Sequence, residues 1–571
     1  MIASLLGVLK AGKAYVSLDP THPPARNSYI LEHSEAALIL TDTSNINLAA
    51  ELSQDERPWL NVDELDLSVS DENLGLAIAP ETLSAIRYTS GSTGQPKGVK
   101  RDHYDMLHHY VTHNINSLHI CPDDRIAAGS IVQDVFNALL AGASFYPLDI
   151  KKEGLAALSG WMAQEKITIY FSVPSIFRRF VEALTGEQKF PDLRLLAMRG
   201  EPVLRTDVDL YKKYFPETCL MVNRLGSSET GTFCQYFIDK QTDIDGKIAP
   251  AGYVVADKEI VLLDDNGKEV GPGETDEIAV NSRYVRPGYG RKADLTRSKY
   301  LADPQGGDRL TYLTGDLGRL QADGCLEYLG REDSQVKIAG NRIEVSEIEN
   351  ILLSLASIKE AAVAARQERS GEQRLVAYIV PATDPAPTFG ELRRSLKARL
   401  PAYMIPATFV IVDEIPLTVT GKVDRRALPD PGSARPVLET AYVPPRTPVE
   451  KEVARIWAEV LSLDRVGVHD DFFELGGHSL AATRVVSHVI NAYQLELPLQ
   501  SLFQAPTVGE MAAVILQHQT KKLGERELDR ILSGVESLSD EEAERRLPQA
   551  TPAPSSWITA PTKKFSRTSH G

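Results

Sequence analysis

At 571 residues the chain is too long for one small core and calls for three or four folding units. Its 62 basic against 78 acidic residues give a formal charge of -16, which argues against a nucleic-acid partner, because phosphate backbones require clustered positive charge. Apolar residues at 43% and charged residues at 25% fit a soluble globular protein. No apolar run nears the roughly 20 residues that span a bilayer, so no membrane association is expected. Met1 to Lys10 has neither a charged leader nor a cleavage site, which makes the cytoplasm the expected location. Cys121, Cys219, Cys234 and Cys325 lie far apart without a Cys-x-x-Cys, so they read as buried reduced thiols rather than a disulfide framework or zinc site.

In chain order, residues 1–329 alternate short apolar runs with helical patterns, the mark of a layered α/β core with largely parallel sheets. Ala37–Thr41, Ile167–Ser172 and Leu193–Ala197 are strand-like, and Gly154–Gln164 is amphipathic. Lys258–Asp264 and Glu277–Val280, around Asp265-Asn-Gly267, predict a hairpin closed by an Asn-Gly turn. Residues 330–430 predict a small α+β unit: strands at Val336–Ile338 and Leu375–Val380, helices at Val345–Leu355 and Phe389–Leu400. Prolines mark 431–447 as a linker. Across 448–520, Val449, Val453, Ile456, Trp457, Val460 and Leu461 recur at helical spacing, and further helices are predicted at Ser479–Tyr493 and Val508–His518. The remainder, 521–571, reads as a charged helix over Gly524–Leu547 and a Pro/Ser/Thr-rich disordered tail. The fold class is thus α/β multi-domain, followed by a helical bundle.

Thr89-Ser-Gly-Ser-Thr-Gly-Gln-Pro-Lys97 has the composition of a polyphosphate cradle. Gly91 and Gly94 let backbone N–H groups converge on an anion, the hydroxyls of Thr89, Ser90, Ser92 and Thr93 add donors, and Lys97 adds a point charge. No Gly-Lys-Ser/Thr closes it, so it is not a Walker loop, and a flexible linker is the bland alternative. Asp316, after Gly315, reads as a carboxylate at a turn that could accept two ribose hydroxyls or merely face solvent. Glu229, in Gly226-Ser-Ser-Glu-Thr-Gly231, is a hard oxygen ligand suited to Mg²⁺ on phosphates. Ser479, after Gly476-Gly477-His478, reads as a helix N-cap that is also open to modification.

Together, Tyr88–Val99, Asn223–Gly231, Tyr312–Leu317, Gly330–Gly340 and Pro416–Arg425 resemble the ordered core motifs of nonribosomal peptide synthetase adenylation domains. Gly476–Leu480 resembles the attachment motif of their peptidyl carrier domains. The resemblance implies that ATP activates a carboxylic acid as an acyl-adenylate, and that the acyl group passes to a 4'-phosphopantetheine thiol. It implies Thr89 to Lys97 on the phosphates, Glu229 on Mg²⁺, Asp316 and Arg331 on the ribose, Lys422 as the catalytic cation, Asp333 as the hinge of the small subdomain, and Ser479 as the attachment site. It also implies as partners a phosphopantetheinyl transferase and downstream condensation, ketosynthase or release enzymes, since the chain shows no condensation or thioesterase motif of its own.

The same residue-by-residue comparison lines the acid pocket with Gly129, Ser130, Gln133, Phe171, Ala197, Arg199, Arg224, Thr232 and Phe233. In members that activate α-amino acids, an Asp holds the ammonium group at the position of Gly129. Without that carboxylate, an acid lacking the standard α-amine is expected. Arg199 and Arg224 either meet an anionic group of that acid or pair with acidic neighbours. The family has a further stretch ahead of Leu9–Pro20, so the chain is expected to begin inside the domain. A second reading follows from that: an impaired fragment acting only as an acyl carrier. An acyl-coenzyme A or luciferase-like ligase shares the ATP loop, and the fused carrier sets this chain apart from it.

Overall fold

The computed structural model describes residues 1–520 except 55–56, 67, 69, 71, 92–94, 130, 149–154, 185–187, 265, 286–287, 304–306, 332–334, 368–372, 418–422, 433–434, 436–437, 439, 478, 496 and 499. The expectations for Ser92, Thr93, Gly94, Ser130, Asp333, Lys422, Gly524–Leu547 and the tail therefore lie outside the described residues. The chain forms two compact units, Met1–Ala512 and Ala513–Gly571. In the second, 513–520 are described and helical. No helix among the described residues is long and apolar enough to cross a membrane.

The first unit opens its site-bearing part with the hairpin β1 (Leu83–Thr89) and β2 (Lys97–Asp102). β3 (Arg125–Ala128), α1 (Ile131–Ala141), β4 (Ser144–Pro147), β5 (Ile169–Ser172), β6 (Leu195–Arg199), β7 (Leu220–Ser227), β8 (Gly231–Ile238) and β9 (Tyr253–Val254) follow. They form one seven-stranded sheet in the order β9-β8-β7-β6-β5-β3-β4. Its five strands β3 to β7 are parallel, and β8 and β9 add an antiparallel edge. Helices cover both faces, so β5 and β6 read as nearly unbroken apolar runs. Alternation sorts their side chains: Tyr170, Leu196 and Met198 enter one core with Phe177 and Phe180, while Ile169, Phe171, Leu195 and Ala197 enter the other with Val222. The predicted strand starts at Ile167 and Leu193 move in by two residues, because Ile167 and Leu193 serve as approach segments packed in the first core.

A second sheet contains β10 (Glu259–Leu263), β11 (Thr275–Ser282), β12 (Tyr300–Ala302), β13 (Leu310–Leu320) and β14 (Leu326–Arg331). β10 and β11 pair antiparallel as expected, but the Asn266-Gly267 turn does not join them directly. It first returns the chain to Glu269, which bridges Leu263, while Val270 N–H donates to Leu262 O at 2.9 Å. Asp316 is likewise not at a turn: it lies within β13, opposite Arg331 of β14.

Within the first unit, the small α+β subdomain begins with the hairpin β15 (Gln335–Ile338) and β16 (Asn341–Glu344), then α2 (Val345–Leu353), β17 (Ile358–Gln367), β18 (Gln373–Pro381), α3 (Phe389–Lys397) and β19 (Thr408–Ile411). β17-β18-β19 form one sheet. The helical module holds α4 (Pro448–Leu461), α5 (Ser479–Tyr493) and α6 (Gln500–Gln504), with a further helix from 508. A capping box between Thr447 and Glu450 starts α4, whose Val453, Ile456, Trp457 and Val460 are buried. All four cysteines are free, and Cys121, against expectation, is exposed because it sits in the loop before β3.

The expected linker is not a free tether. Arg435 makes two bonds to the fully buried carboxylate of Asp470, at 2.6 and 2.7 Å, and Val468 N–H donates to Val443 O at 2.9 Å. The segment therefore belongs to the helical module's fold. Arg435→Ala strands the Asp470 charge, so it is expected to destabilise that module by about 3 kcal/mol. Urea unfolding read by hydrogen exchange over Pro448–Leu461 checks this, and an unchanged midpoint returns 431–447 to the status of a linker.

Candidate active site

β1 and β2 pair with Thr89 opposite Lys97, so the glycine- and hydroxyl-rich segment is a hairpin loop whose two ends are fixed by the ladder. A Cβ at Gly91 would lie 2.1 Å from Gln95 O, which makes glycine a steric requirement there. Thr89 Oγ1 is buried without a hydrogen-bond partner among the described residues. Such an orphaned donor at the loop's mouth fits a phosphate oxygen.

Glu229, in the turn between β7 and β8, is the charge centre of this side of the site. Its carboxylate is fully buried and takes both oxygens to Arg342 Nη1, at 2.8 and 2.9 Å. Tyr289 OH donates to it at 2.9 Å, and Lys97 Nζ lies 3.7 Å away. Burial alone would raise this carboxyl, but the charges of Arg342 and Lys97 and the Tyr289 hydrogen bond outweigh it and bring it down to about 2. Burial, reinforced by Arg342, in turn pushes the Lys97 ammonium below its usual range despite Glu229 and Glu344.

Arg342 arrives on the β15–β16 hairpin, which lies over the loop. Ser90 Oγ donates to Arg342 O at 2.7 Å and accepts from Glu344 N–H at 3.1 Å. Glu344 stands 3.7 Å from Lys97 Nζ, and Glu347 accepts from Gly91 N–H at 3.3 Å while pairing with Arg26 at 2.7 Å. Two carboxylates thus occupy the donors expected to bind phosphate, and a guanidinium occupies the carboxylate expected to bind Mg²⁺. Arg342, Glu344 and Glu347 were not among the predicted site residues. Their only local signal is the charged Arg342-Ile-Glu344 directly after the Gly330–Gly340 motif. Asp316 and Arg331, predicted together on a ribose, are joined here by a 2.7 Å ion pair across β13 and β14.

The predicted acid pocket lies at the carboxyl ends of the parallel strands, where open α/β sheets place ligands. Ladder register sets Phe171 beside Ala197, and Arg199 beside Arg224, so two guanidinium groups leave adjacent strands side by side. Both lie over the Phe171 ring, at 5.6 and 6.0 Å. They differ in partners. Arg199 Nη2, on a side chain 27% exposed, donates to Asp134 Oδ2 at 2.5 Å. Buried Arg224 has only neutral acceptors among the described residues: His113 O at 3.2 Å, Thr232 Oγ1 at 3.1 Å and Asn114 Oδ1. Burial and the adjacent Arg199, opposed by Asp134, push the Arg224 guanidinium down to about 9.

Two pocket positions, Gln133 and Phe233, differ from expectation. Gln133 is exposed, and α1 turns its neighbour Asp134 inward instead. Thr232 joins Arg224, but Phe233, next to a bulge in β8, packs in the second sheet's core with Val99 and Tyr312. Gly129 is exposed, and a Cβ there would meet only Leu148 O at 3.8 Å, so room for a side chain exists. Asp134, Asn114 and Asn137 are the pocket-side residues that sequence reasoning missed.

The AMP-binding enzyme family matches residues 1–290, its C-terminal domain matches 347–422, and the phosphopantetheine attachment site matches 451–515. A linear gramicidin synthase of Brevibacillus parabrevis is 39% identical over 91% of this chain and 7% of its own length. Tyrocidine synthase 3 of the same organism is 36% identical over 90% of this chain and 8% of its own. The chain thus spans under a tenth of these two relatives. The structure of holo-PA1221, an NRPS protein containing adenylation and PCP domains, superposes with a TM-score of 0.73 at 25% identity, covering 90% of this chain and 86% of that one. The chain belongs to the AMP-binding enzymes, as a nonribosomal peptide synthetase adenylation unit followed by a phosphopantetheine carrier.

Proposed function

We propose that the chain uses ATP to activate a carboxylic acid as its acyl-adenylate, with release of pyrophosphate, and then loads the acyl group on its own carrier. One observation carries the reading: the Thr89–Lys97 loop and Glu229 converge in a chain whose helical module begins α5 at Ser479, directly after Gly476-Gly477-His478. The assembled nucleotide side weighs against a chain that acts only as a carrier. Thr89, Ser90, Gly91 and Lys97 would hold the phosphates, Glu229 a Mg²⁺, and Asp316 with Arg331 the ribose. Bound at Ser479, phosphopantetheine supplies the acceptor thiol. A phosphopantetheinyl transferase would install it, and condensation, ketosynthase or release enzymes would take the product, in the cytoplasm where ATP is available. Lys422 would neutralise charge at the reacting carboxylate, and Asp333 would be the hinge that withdraws it.

The hairpin and a polyphosphate would use the same groups. Ser90, Gly91 and Lys97 engage Glu344, Glu347 and the backbone of β16, and Arg342 holds Glu229. This arrangement suits the stage at which pyrophosphate has left and the thiol is received. The acid, in this reading, is not a standard α-amino acid and carries a further anionic group. Gly129 offers no carboxylate to an ammonium, and Arg224 lacks a carboxylate among the described residues. Arg199, already met by Asp134, is not free to serve as a second anion site.

Lys422→Ala is expected to lower ATP–pyrophosphate exchange by at least about 100-fold, the scale of removing preorganised charge from a transition state. The mass increase at Ser479 from carrier modification should be unchanged, and loss of both would show a folding defect. Glu344→Gln loosens the hairpin, so the KM for ATP should fall about two- to fivefold in exchange while single-turnover acyl loading slows; an unchanged or higher KM, or loading that does not slow, would refute the shared-site reading. Arg224→Met should reduce kcat/KM for acids bearing a second anion by about 10- to 100-fold, as expected for a lost charged hydrogen bond, and spare uncharged acids. Equal losses across a panel of amino, hydroxy, keto, aryl and dicarboxylic acids would remove Arg224 from that role.

A further inference from the structure

Beside Arg224, the pocket side of α1 leaves a second mismatch. Asp134 is fully buried; its Oδ2 takes Arg199, while its Oδ1 has no hydrogen-bond partner among the described residues. One turn along α1, Asn137 is also fully buried, and its Nδ2 has no partner either. The orientation of that amide follows from a chain of donors. Arg224 can only donate, so the Asn114 oxygen must face it. Asn114 Nδ2 then points at Asn137 and requires its oxygen, at 2.6 Å. The Asn137 amide nitrogen is therefore the free end. An unmatched acceptor and an unmatched donor at positions i and i+3 lie on one helix face.

We infer that Asp134 and Asn137 determine specificity for a hydroxyl group on the acid, Asp134 Oδ1 accepting from its O–H and Asn137 Nδ2 donating to its oxygen. A hydroxyl both donates and accepts at one atom, which neither a carboxylate nor an ammonium does. An ammonium fits badly: it offers nothing to the Asn137 donor, and it would place a third cation beside Arg199 and Arg224 against the single charge of Asp134. Leaving either buried group unmatched is costly, which is why a site built this way rejects the analogue that lacks the hydroxyl. The inference rests on the reading that these strand ends form the acid pocket.

The test uses the full chain with acids matched in pairs: malate against succinate, hydroxyphthalate against phthalate, and hydroxyacyl chains against their deoxy parents. ATP–pyrophosphate exchange and binding calorimetry should favour the hydroxylated member of at least one pair by tenfold or more. Asp134→Ala and, independently of Arg199, Asn137→Leu should each shrink that preference to within about threefold, with Ser479 modification and circular dichroism unchanged. Should Asp134→Ala not fold, the unmodified chain and Asn137→Leu decide. Equal affinity within every pair overturns the inference while leaving acid activation standing. A preference that survives both substitutions overturns it as well. Exchange and binding with no acid at all overturn the activation reading first, and this inference with it.

Discussion

A carboxylate with no access to solvent must be met by cations, and Glu229 draws them from distant parts of the chain. Lys97 comes from the end of the phosphate-type loop, and Arg342 from the hairpin of the small subdomain. Isolated, such a charge would be neutralised rather than kept buried; here the surrounding charges hold it ionised. The same constraint ties the α/β core to the small subdomain, because whatever removes Arg342 must bring another positive charge to Glu229. A metal-bound polyphosphate would do both, since it would offer a cation to the carboxylate and anions to the loop donors. In either arrangement the Glu229 charge keeps a positive partner, so neither leaves a bare buried carboxylate.

The acid pocket obeys a different constraint, set by ladder register. Parallel pairing of β6 with β7 fixes Arg199 next to Arg224 whatever their mutual repulsion. α1 answers half of the problem with Asp134, leaving one cation without a direct ion pair and one carboxylate oxygen without a donor among the described residues. A protein core that had only to be stable would bury apolar groups there. Unmatched polar atoms at strand ends are what a pocket looks like before its ligand supplies the missing partners, and they restrict the ligand's chemistry more sharply than shape does.

Much of this was legible in the sequence where the signal is local. β5 and β6 could be read from their apolar runs because both faces of a parallel sheet are covered, and the start of α5 at Ser479 follows from two glycines before a helical period. The Thr89–Lys97 segment stood out through its residue types, and the ladder closes it as a hairpin between β1 and β2. Illegible were features set by distant partners or by phase. Arg342, Glu344 and Glu347 reach the loop from about 250 residues away in sequence, and no periodicity carries that information. Counting along the pocket selected Gln133 where the helix presents Asp134, a slip of one residue that rotates a side chain by about 100°. Asp316 looked like a turn residue because Gly315 precedes it, yet Gly315, at φ 73°, is accommodated inside β13.

The carrier's attachment end is also not independent of the small subdomain. Gly476, at φ 103°, passes so close to the Ala407 carbonyl that a Cβ would lie 2.3 Å from its oxygen. Arg393 of α3 donates to the Pro406 and Ala407 carbonyls at 3.1 and 3.2 Å; burial lowers its guanidinium to about 10, against the opposing pull of Asp471 and Glu474 on the carrier. Lys397, one turn further along α3, lies 5.9 Å over the Phe473 ring. These contacts seat the segment just before Ser479 on the subdomain whose rotation is proposed to separate the two steps. A subdomain that turned while gripping this segment would swing the attachment point with it, so delivery of the thiol and withdrawal of Lys422 would be one motion rather than two. The seat itself is a matter of packing: the glycine lets two backbones touch, and the acidic loop of the carrier faces the basic face of α3.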